Sequence, residues 1–338
     1  MSVAILLSAR RRPRPRLALL LLTLLLIAAS LVHLGLGARW IAPQTVLQAL
    51  LEYDPRNFEQ RIIIDLRLVR LAAALLTGAA LGVAGLLLQT VIRNPLGEPH
   101  ILGLNAGATL AVVVCSAAGI TVGVSRPLAA ALGAAALFGL VMMLASAGRA
   151  GATAMKITLC GVALSAFASA ITASILILDE QTLQAMRTWL AGDLSGISLT
   201  TLQIASIPTL LGILLAGILA PRLNILALGD RVASGLGVSV ARTRVLGVIA
   251  IALLCGAAVS VAGPIGFIGL VVPHVIRRWA GQDIRTGLLL ALPTGALLLL
   301  SADILARWVL APQELATGVM TAMVGAPVFI AIAVRFFK

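Results

Sequence analysis

Marking every Asp, Glu, Lys and Arg along the chain leaves long uncharged runs separated by short charged punctuation. The runs cover residues 17–38, 71–92, 99–125, 127–148, 157–178, 194–221, 245–276, 286–302 and 315–334. A helix needs roughly 20 such residues to cross about 30 Å of hydrocarbon, so each run is a spanning candidate. The run 245–276 is too long for one crossing. It is interrupted at Gly263-Pro264 and again at Pro273, where proline removes a backbone donor and clashes with the preceding turn. It divides into a helix over 245–262 and a shorter one over about 265–280, which makes ten spans. None of the runs alternates with period two, which excludes a membrane β-barrel.

Composition agrees with the pattern. Of 338 residues, 60% are hydrophobic and 11% charged, with a mean hydropathy of +1.10. A soluble protein carries about a quarter of its residues as charges, so a soluble enzyme is excluded. The net charge of +13 would suggest nucleic acid in a soluble domain, but aromatics are only 4% and the basic residues are scattered between apolar blocks. The charge instead reports orientation. Arg10, Arg11, Arg12, Arg14 and Arg16 precede an apolar run that reaches Leu36, longer than the roughly 7–15 residues of a signal peptide core. This predicts a basic cytoplasmic segment over 1–16 and a single transmembrane domain over 17–338, with both termini cytoplasmic. Under that topology 17 of the 25 Lys and Arg lie inside, with Glu98, Asp230 and Asp283 as the only inside acids. The positive-inside rule for short loops requires such a bias.

Familiar chemistry is missing. His33, His100 and His274 occupy different segments, and Cys115, Cys160 and Cys255 lie inside apolar runs, so neither a catalytic triad nor a metal-ligand spacing can be assembled. The string GATAMKIT from Gly151 lacks the second glycine of a phosphate-binding loop. Asp303 is the one acid inside an apolar run. It stands four residues before Arg307, and an ion pair along one helix is the preferred reading. Ion-coupled transporters usually keep several ionisable groups at mid-depth, so the chain reads as a transport scaffold without a visible energy source. Gly78/Gly82 and Gly103/Gly107 are spaced by four, which suits either internal helix packing or a dimer seam.

Four stretches in order are RLVRLAAALLTGAALGVAGLLLQTVIRNPLGEPHILGLNAGA from Arg67, LALGDRVASGLGVSV from Leu226, AGPIGFIGLVVPHVIRR from Ala262, and ADILARWVLAPQELATGVMTAMVGAPVF from Ala302. They closely resemble the permease subunits of ATP-binding-cassette importers for iron-siderophores, haem and cobalamin, the FecCD family. MKITLCGVALSA from Met155 and the stretch from Leu226 look most like ferric-citrate permeases.

The resemblance implies an all-α type II importer permease fold and a set of site residues. Arg67 and Arg70, with Val69 where the family usually has proline, match the outer positions that receive acidic residues of a substrate-binding protein, and Arg307 matches a third. Their spacing of three would put two guanidiniums on one face. Asn94, Pro95 and Leu96 match the cytoplasmic gate, faced by Ala154 and Met155. Within a loop over about 222–244, Asp230, Arg231, Ser234, Gly235, Leu236 and Gly237 match the coupling helices that seat on the ATPase, and Val232, Ala233, Leu236 and Val238 supply apolar surface there. The segment 179–200, with Trp189, matches an external connection that helps close the pathway.

The implied machine imports a chelated iron complex across the inner membrane. It comprises this permease, a second permease copy or homologue, two ATPase subunits and a binding protein. The chain itself would hold no cofactor and no metal, since ATP belongs to the ATPase and the iron arrives coordinated. Haem or cobalamin as cargo, an ion-coupled secondary transporter and a non-transporting scaffold are the rival readings.

Overall fold

The computed structural model describes residues 15–37, 39–120, 122–147 and 153–336. Arg10, Arg11, Arg12, Arg14, Arg149, the Gly151 string as far as Ala152, and Lys338 lie outside the described residues. The first helix, α1, spans Pro15–Gly35, and two short helices follow, α2 (Pro43–Leu51) and α3 (Phe58–Arg61). A wide π-helical turn over Ile62–Arg67 leads without a break into α4 (Leu68–Val91), giving one continuous helix of 34 residues. Next come α5 (Leu104–Ala117), α6 (Val122–Ser146), α7 (Ala154–Leu178) and the short α8 (Glu180–Leu190). The chain continues through α9 (Leu199–Leu226), α10 (Asp230–Gly235) and α11 (Val240–Ala262), then α12 (Ile268–Ala280), α13 (Ile284–Trp308) and α14 (Thr317–Phe336).

Seven of these helices are long and apolar enough to cross a membrane among the described residues, and the shorter α5, α12 and α14 occupy the other three expected spans in order. Charged residues mislead about where helices start. The uncharged run begins at Leu71, yet the helix begins at Phe58, where Asn57 caps it by accepting from the backbone N–H groups of Glu59 and Gln60. Helical hydrogen bonding does not need apolar side chains once the chain leaves hydrocarbon. Helix ends are misjudged as well. The uncharged run 194–221 ends at Arg222, but α9 continues through both Pro208 and Pro221 to Leu226, and α12 runs through Pro273. Neighbouring helices tolerate such prolines inside membranes. The segment between α9 and α11 is accordingly shorter than the expected loop over 222–244. A single six-residue helix, α10, replaces the two pieces anticipated around Gly235 and Gly237, and Gly237 turns the chain with φ +77° into α11.

Burial separates the helices into two groups. The apolar windows of α4 and α11 are 78% and 72% buried, whereas that of α1 is 22% buried and presents Leu20, Leu21, Leu24 and Leu25 outward. Lipid tails are as apolar as leucine, so the inner helices must be held by close backbone contact rather than by hydrophobic drive. Glycine permits that contact. Gly78 and Gly82 on α4 face Gly295 and Ala291 on α13, Gly85 faces Gly269 on α12, and Gly107 on α5 faces Gly133 on α6, each with no space for a Cβ. Both sequence pairs therefore have internal partners: Gly78/Gly82 on α13, and Gly107 on α6, while Gly103 starts α5 with φ +91°.

Gly85→Val, which would drive a side chain into the Gly269 backbone, should lower stability by about 1–3 kcal/mol. Gly139→Ala, where nothing lies within 4 Å, should be neutral. Thermal unfolding of the two variants in detergent checks the contrast.

Candidate functional site

The 24 residues of α4 rise about 35 Å, so its two ends define two separate sites. At the start, Arg70 closes a cluster drawn from distant parts of the chain. Its Nε and Nη2 donate to Asp303 Oδ2 and Oδ1 at 3.0 and 2.9 Å, a bidentate pair. Asp303 also accepts from His33 Nε2 at 2.8 Å and from the Thr317 hydroxyl at 2.6 Å. The carboxylate is fully buried, and these four donors from α1, α4 and α14 compensate it. The expected Asp303–Arg307 pair within α13 does not form. Arg307 turns instead to the carbonyls of His33 (3.2 Å) and Leu36 and to Glu314 Oε1 (3.4 Å), because the fully paired Asp303 is already saturated from the other side.

Arg67 is 7% exposed and donates to the carbonyls of Leu34, Gly35 and Arg39, each at 2.7 Å. It therefore belongs to the chain reversal after α1 and is not the free fork that its spacing suggested. Carbonyls satisfy its N–H groups without cancelling its charge. Arg307, expected on a loop, lies in the last turn of α13 and is 4% exposed. Even so, Arg67, Arg70 and Arg307 all line one cavity of about 340 Å³, together with Arg39, Leu194, Ser195 and Glu314. Sequence reading missed both Thr317 and Glu314 here. Glu314 bonds Arg70 Nη1 at 2.6 Å, and it is the sole acid after Asp303, which was the available signal.

At the other end, α4 closes with Arg93 in the left-handed region (φ +51°), and the Asn94 N–H returns to the Gln89 carbonyl at 3.2 Å. Asn94 Oδ1 accepts the Leu96 N–H at 3.0 Å, so 94–97 is a tight turn with Leu96 half-buried. Gln89 reaches both ways, donating to the Gly97 carbonyl and accepting from Arg277 Nη2 at 2.6 Å. Met155, in the first turn of α7, is 73% exposed in this single chain. On α10, Asp230 pairs with Arg244 (2.9 and 3.0 Å) and with Arg93 (3.1 Å), while Val232 and Leu236 are exposed. Arg231, Ser234, Gly235 and Gly237 are also exposed.

Two further groups are buried. Glu98, counted among free inside acids, is 2% exposed and accepts the Phe267 N–H, and burial pushes its carboxyl up to about 7. Trp189, in the segment matched to the external connection, is buried, donates from Nε1 to the Val259 carbonyl at 3.0 Å and lies under the Arg126 guanidinium. Among the described residues no group of three or more His, Cys, Asp or Glu gathers as a metal site.

A helical bundle with charged sites at both ends of one central helix defines a multi-pass membrane permease, the transporter subunit of an ATP-binding-cassette importer and not itself catalytic. Residues 23–335 match the FecCD transport family, and the chain belongs to it. It is 40% identical over 305 residues to the ferric enterobactin transport system permease protein FepD of Escherichia coli (strain K12), covering 90% of this chain and 91% of that one. The Fe(3+) dicitrate permease FecC of the same organism is 39% identical, covering 84% and 86%. A solved inward-facing structure described as a metal-chelate type ABC transporter superposes with a TM-score of 0.81 at 28% identity, covering 95% of this chain and 99% of that one.

Asp303→Asn removes the bidentate partner of the buried Arg70 and leaves it only Glu314 as counter-charge, which should destabilise the protein by about 3 kcal/mol, read as a lowered unfolding midpoint in detergent. Glu98 titrates with the opposite economy. Its folded form keeps a proton between about pH 4.5 and 7 that the unfolded chain releases, so its contribution to stability falls as pH rises through that window. Glu98→Gln should match wild type near pH 4 and exceed it by up to about 3 kcal/mol at pH 8, checked by unfolding midpoints across pH.

Proposed function

We propose that this chain forms one half of the translocation path of an importer for iron(III) chelates. A substrate-binding protein docks on the outer arginines and an ATPase engages α10. The observation that carries the reading is the opposition along α4 of an arginine-lined cavity at one end and an exposed, apolar-surfaced short helix at the other. An importer needs both, because the binding protein and the ATPase meet the permease on opposite sides of the membrane.

The outer cavity holds the charges of Arg67, Arg70 and Arg307 against Glu314 and the already committed Asp303. Its surplus is positive, which supports entry of an acidic side chain from the binding protein. Docking by insertion into a cavity replaces the picture of guanidiniums projecting from a helix face. At the inner end, Asp230 to Gly237 supply the ATPase contact, with Val232 and Leu236 as its apolar patch. Asn94 and Leu96 form the cytoplasmic gate, and the outward-facing Met155 meets it across the path from the partner permease.

Within the iron-chelate class, the stretches from Met155 and Leu226 favour ferric citrate. Uptake of radioactive iron by cells carrying the complete importer tests this, with iron supplied as citrate or as enterobactin. Citrate-supported uptake is the expected result. Uptake with enterobactin alone would reverse the finer choice, and a corrinoid bound to the purified binding protein would overturn the iron reading.

Arg67→Gln combined with Arg307→Gln should weaken binding-protein affinity for the reconstituted complex about tenfold or more while the complex still assembles with its ATPase. Unchanged affinity would count against the docking cavity.

A further inference from the structure

A salt bridge joins the coupling helix to the gate turn. Arg93 Nη2 lies 3.1 Å from Asp230 Oδ1, so the first residue of α10 is bonded to the residue immediately before Asn94. The backbone around this contact is unusual. Arg93 occupies the left-handed position that ends α4, with the Asn94 N–H returning to Gln89 as in a helix-terminating Schellman turn. Glycine is the ordinary occupant of that position, and any other residue there carries a conformational cost. An arginine at this point has a side chain long enough to reach α10, which glycine lacks.

The bond has little to offer stability. Arg93 and Asp230 are 38% and 41% exposed, and ion pairs this exposed add little net stability. Its geometry is more informative. Arg244 on α11 holds both Asp230 oxygens, so α10 rests on α11 through one arm and on the gate turn through the other. Beyond Arg93 the turn is internally bonded through Asn94, Leu96 and Gly97, and therefore follows its first residue as a unit. On its far side Gln89 links Gly97 to Arg277 of α12. Among the described residues, the direct polar route by which a displacement of α10 reaches Leu96 is Arg93.

We infer that Arg93 is the positioning residue that transmits movement of the coupling helix to the cytoplasmic gate through its ion pair with Asp230. This rests on the assignments of α10 to the ATPase and of 94–96 to the gate made above. The transmitted quantity is a preference between gate positions, so losing the link should cost the coupling and leave assembly and ATP turnover in place.

The test uses the complete importer in liposomes, with Cys115, Cys160 and Cys255 replaced by serine or alanine and a thiol introduced by Leu96→Cys. Labelling of that thiol by a membrane-impermeant maleimide is followed without nucleotide and with ATP plus vanadate, which makes the readout independent of cargo. In the otherwise wild-type background the labelling rate should change about tenfold between the two conditions. Adding Arg93→Ala should abolish the change while the complex continues to hydrolyse ATP, and Arg93→Lys should restore much of it. A full nucleotide response with Arg93→Ala, or parallel loss of ATP hydrolysis and response, would overturn the inference. Leu236→Asp serves as the separate control. If Arg93→Ala responds normally while Leu236→Asp loses ATPase association, the coupling assignment stands and only the Arg93 link fails. If Leu236→Asp is also silent, or if the parent thiol shows no nucleotide response, the underlying assignments fail with it.

Discussion

Close backbone approach between α4 and α13 is the constraint on which both ends of this molecule depend. In lipid no hydrophobic force draws one apolar helix to another, so contact must come from dispersion and from polar bonds that shape complementarity makes possible. Gly78 and Gly82 bring α4 against Gly295 and Ala291, and Gly85 brings it against α12. With α4 held there, Arg70 is carried to Asp303 at one end and Gln89 to Arg277 at the other. A side chain at any of these glycines would separate the backbones and lengthen polar contacts that lie many residues away.

The outer cluster shows how a membrane protein accommodates buried charge. Asp303 sits among Arg70, His33 and Thr317 with every oxygen engaged, and Arg67 and Arg307 are absorbed by carbonyls at the end of α1. Such a network fixes the relative positions of α1, α4, α13 and α14 more than it adds net stability, since desolvation offsets much of the attraction. The cavity beside it inherits a fixed field from charges that cannot move away. A carboxylate arriving there meets a preformed site. The inner end is built differently, from half-exposed pairs around Asp230 that are individually weak and therefore free to rearrange.

Much of this was legible beforehand. The ten spans, their order and the division after Gly263-Pro264 follow from one-dimensional patterns of apolarity, charge and proline. Boundaries were less so, as at Phe58, where the helix outruns its apolar stretch, and at Arg222, where the uncharged run ends but α9 continues. The candidate arginines were singled out by motif, but their bonding states were not legible. Spacing suggested two exposed guanidiniums on one face, whereas the structure has one in a nest of carbonyls and the other in a bidentate pair.

By itself the sequence determined that this is an all-helical membrane protein, in which order its segments cross, and which side its basic residues favour. Each of those properties is set by residues acting within a single segment. Only the tertiary structure decided which charges are spent. His33 and Asp303 are 270 positions apart, and Arg70 and Asp303 are 233 apart, so no local periodicity relates them. The same holds for Arg93 and Asp230, whose meeting depends on where α4 ends relative to α10. Helix packing in three dimensions brings these partners within bonding distance, and it is governed by the glycine contacts and not by the apolar pattern that made the helices recognisable.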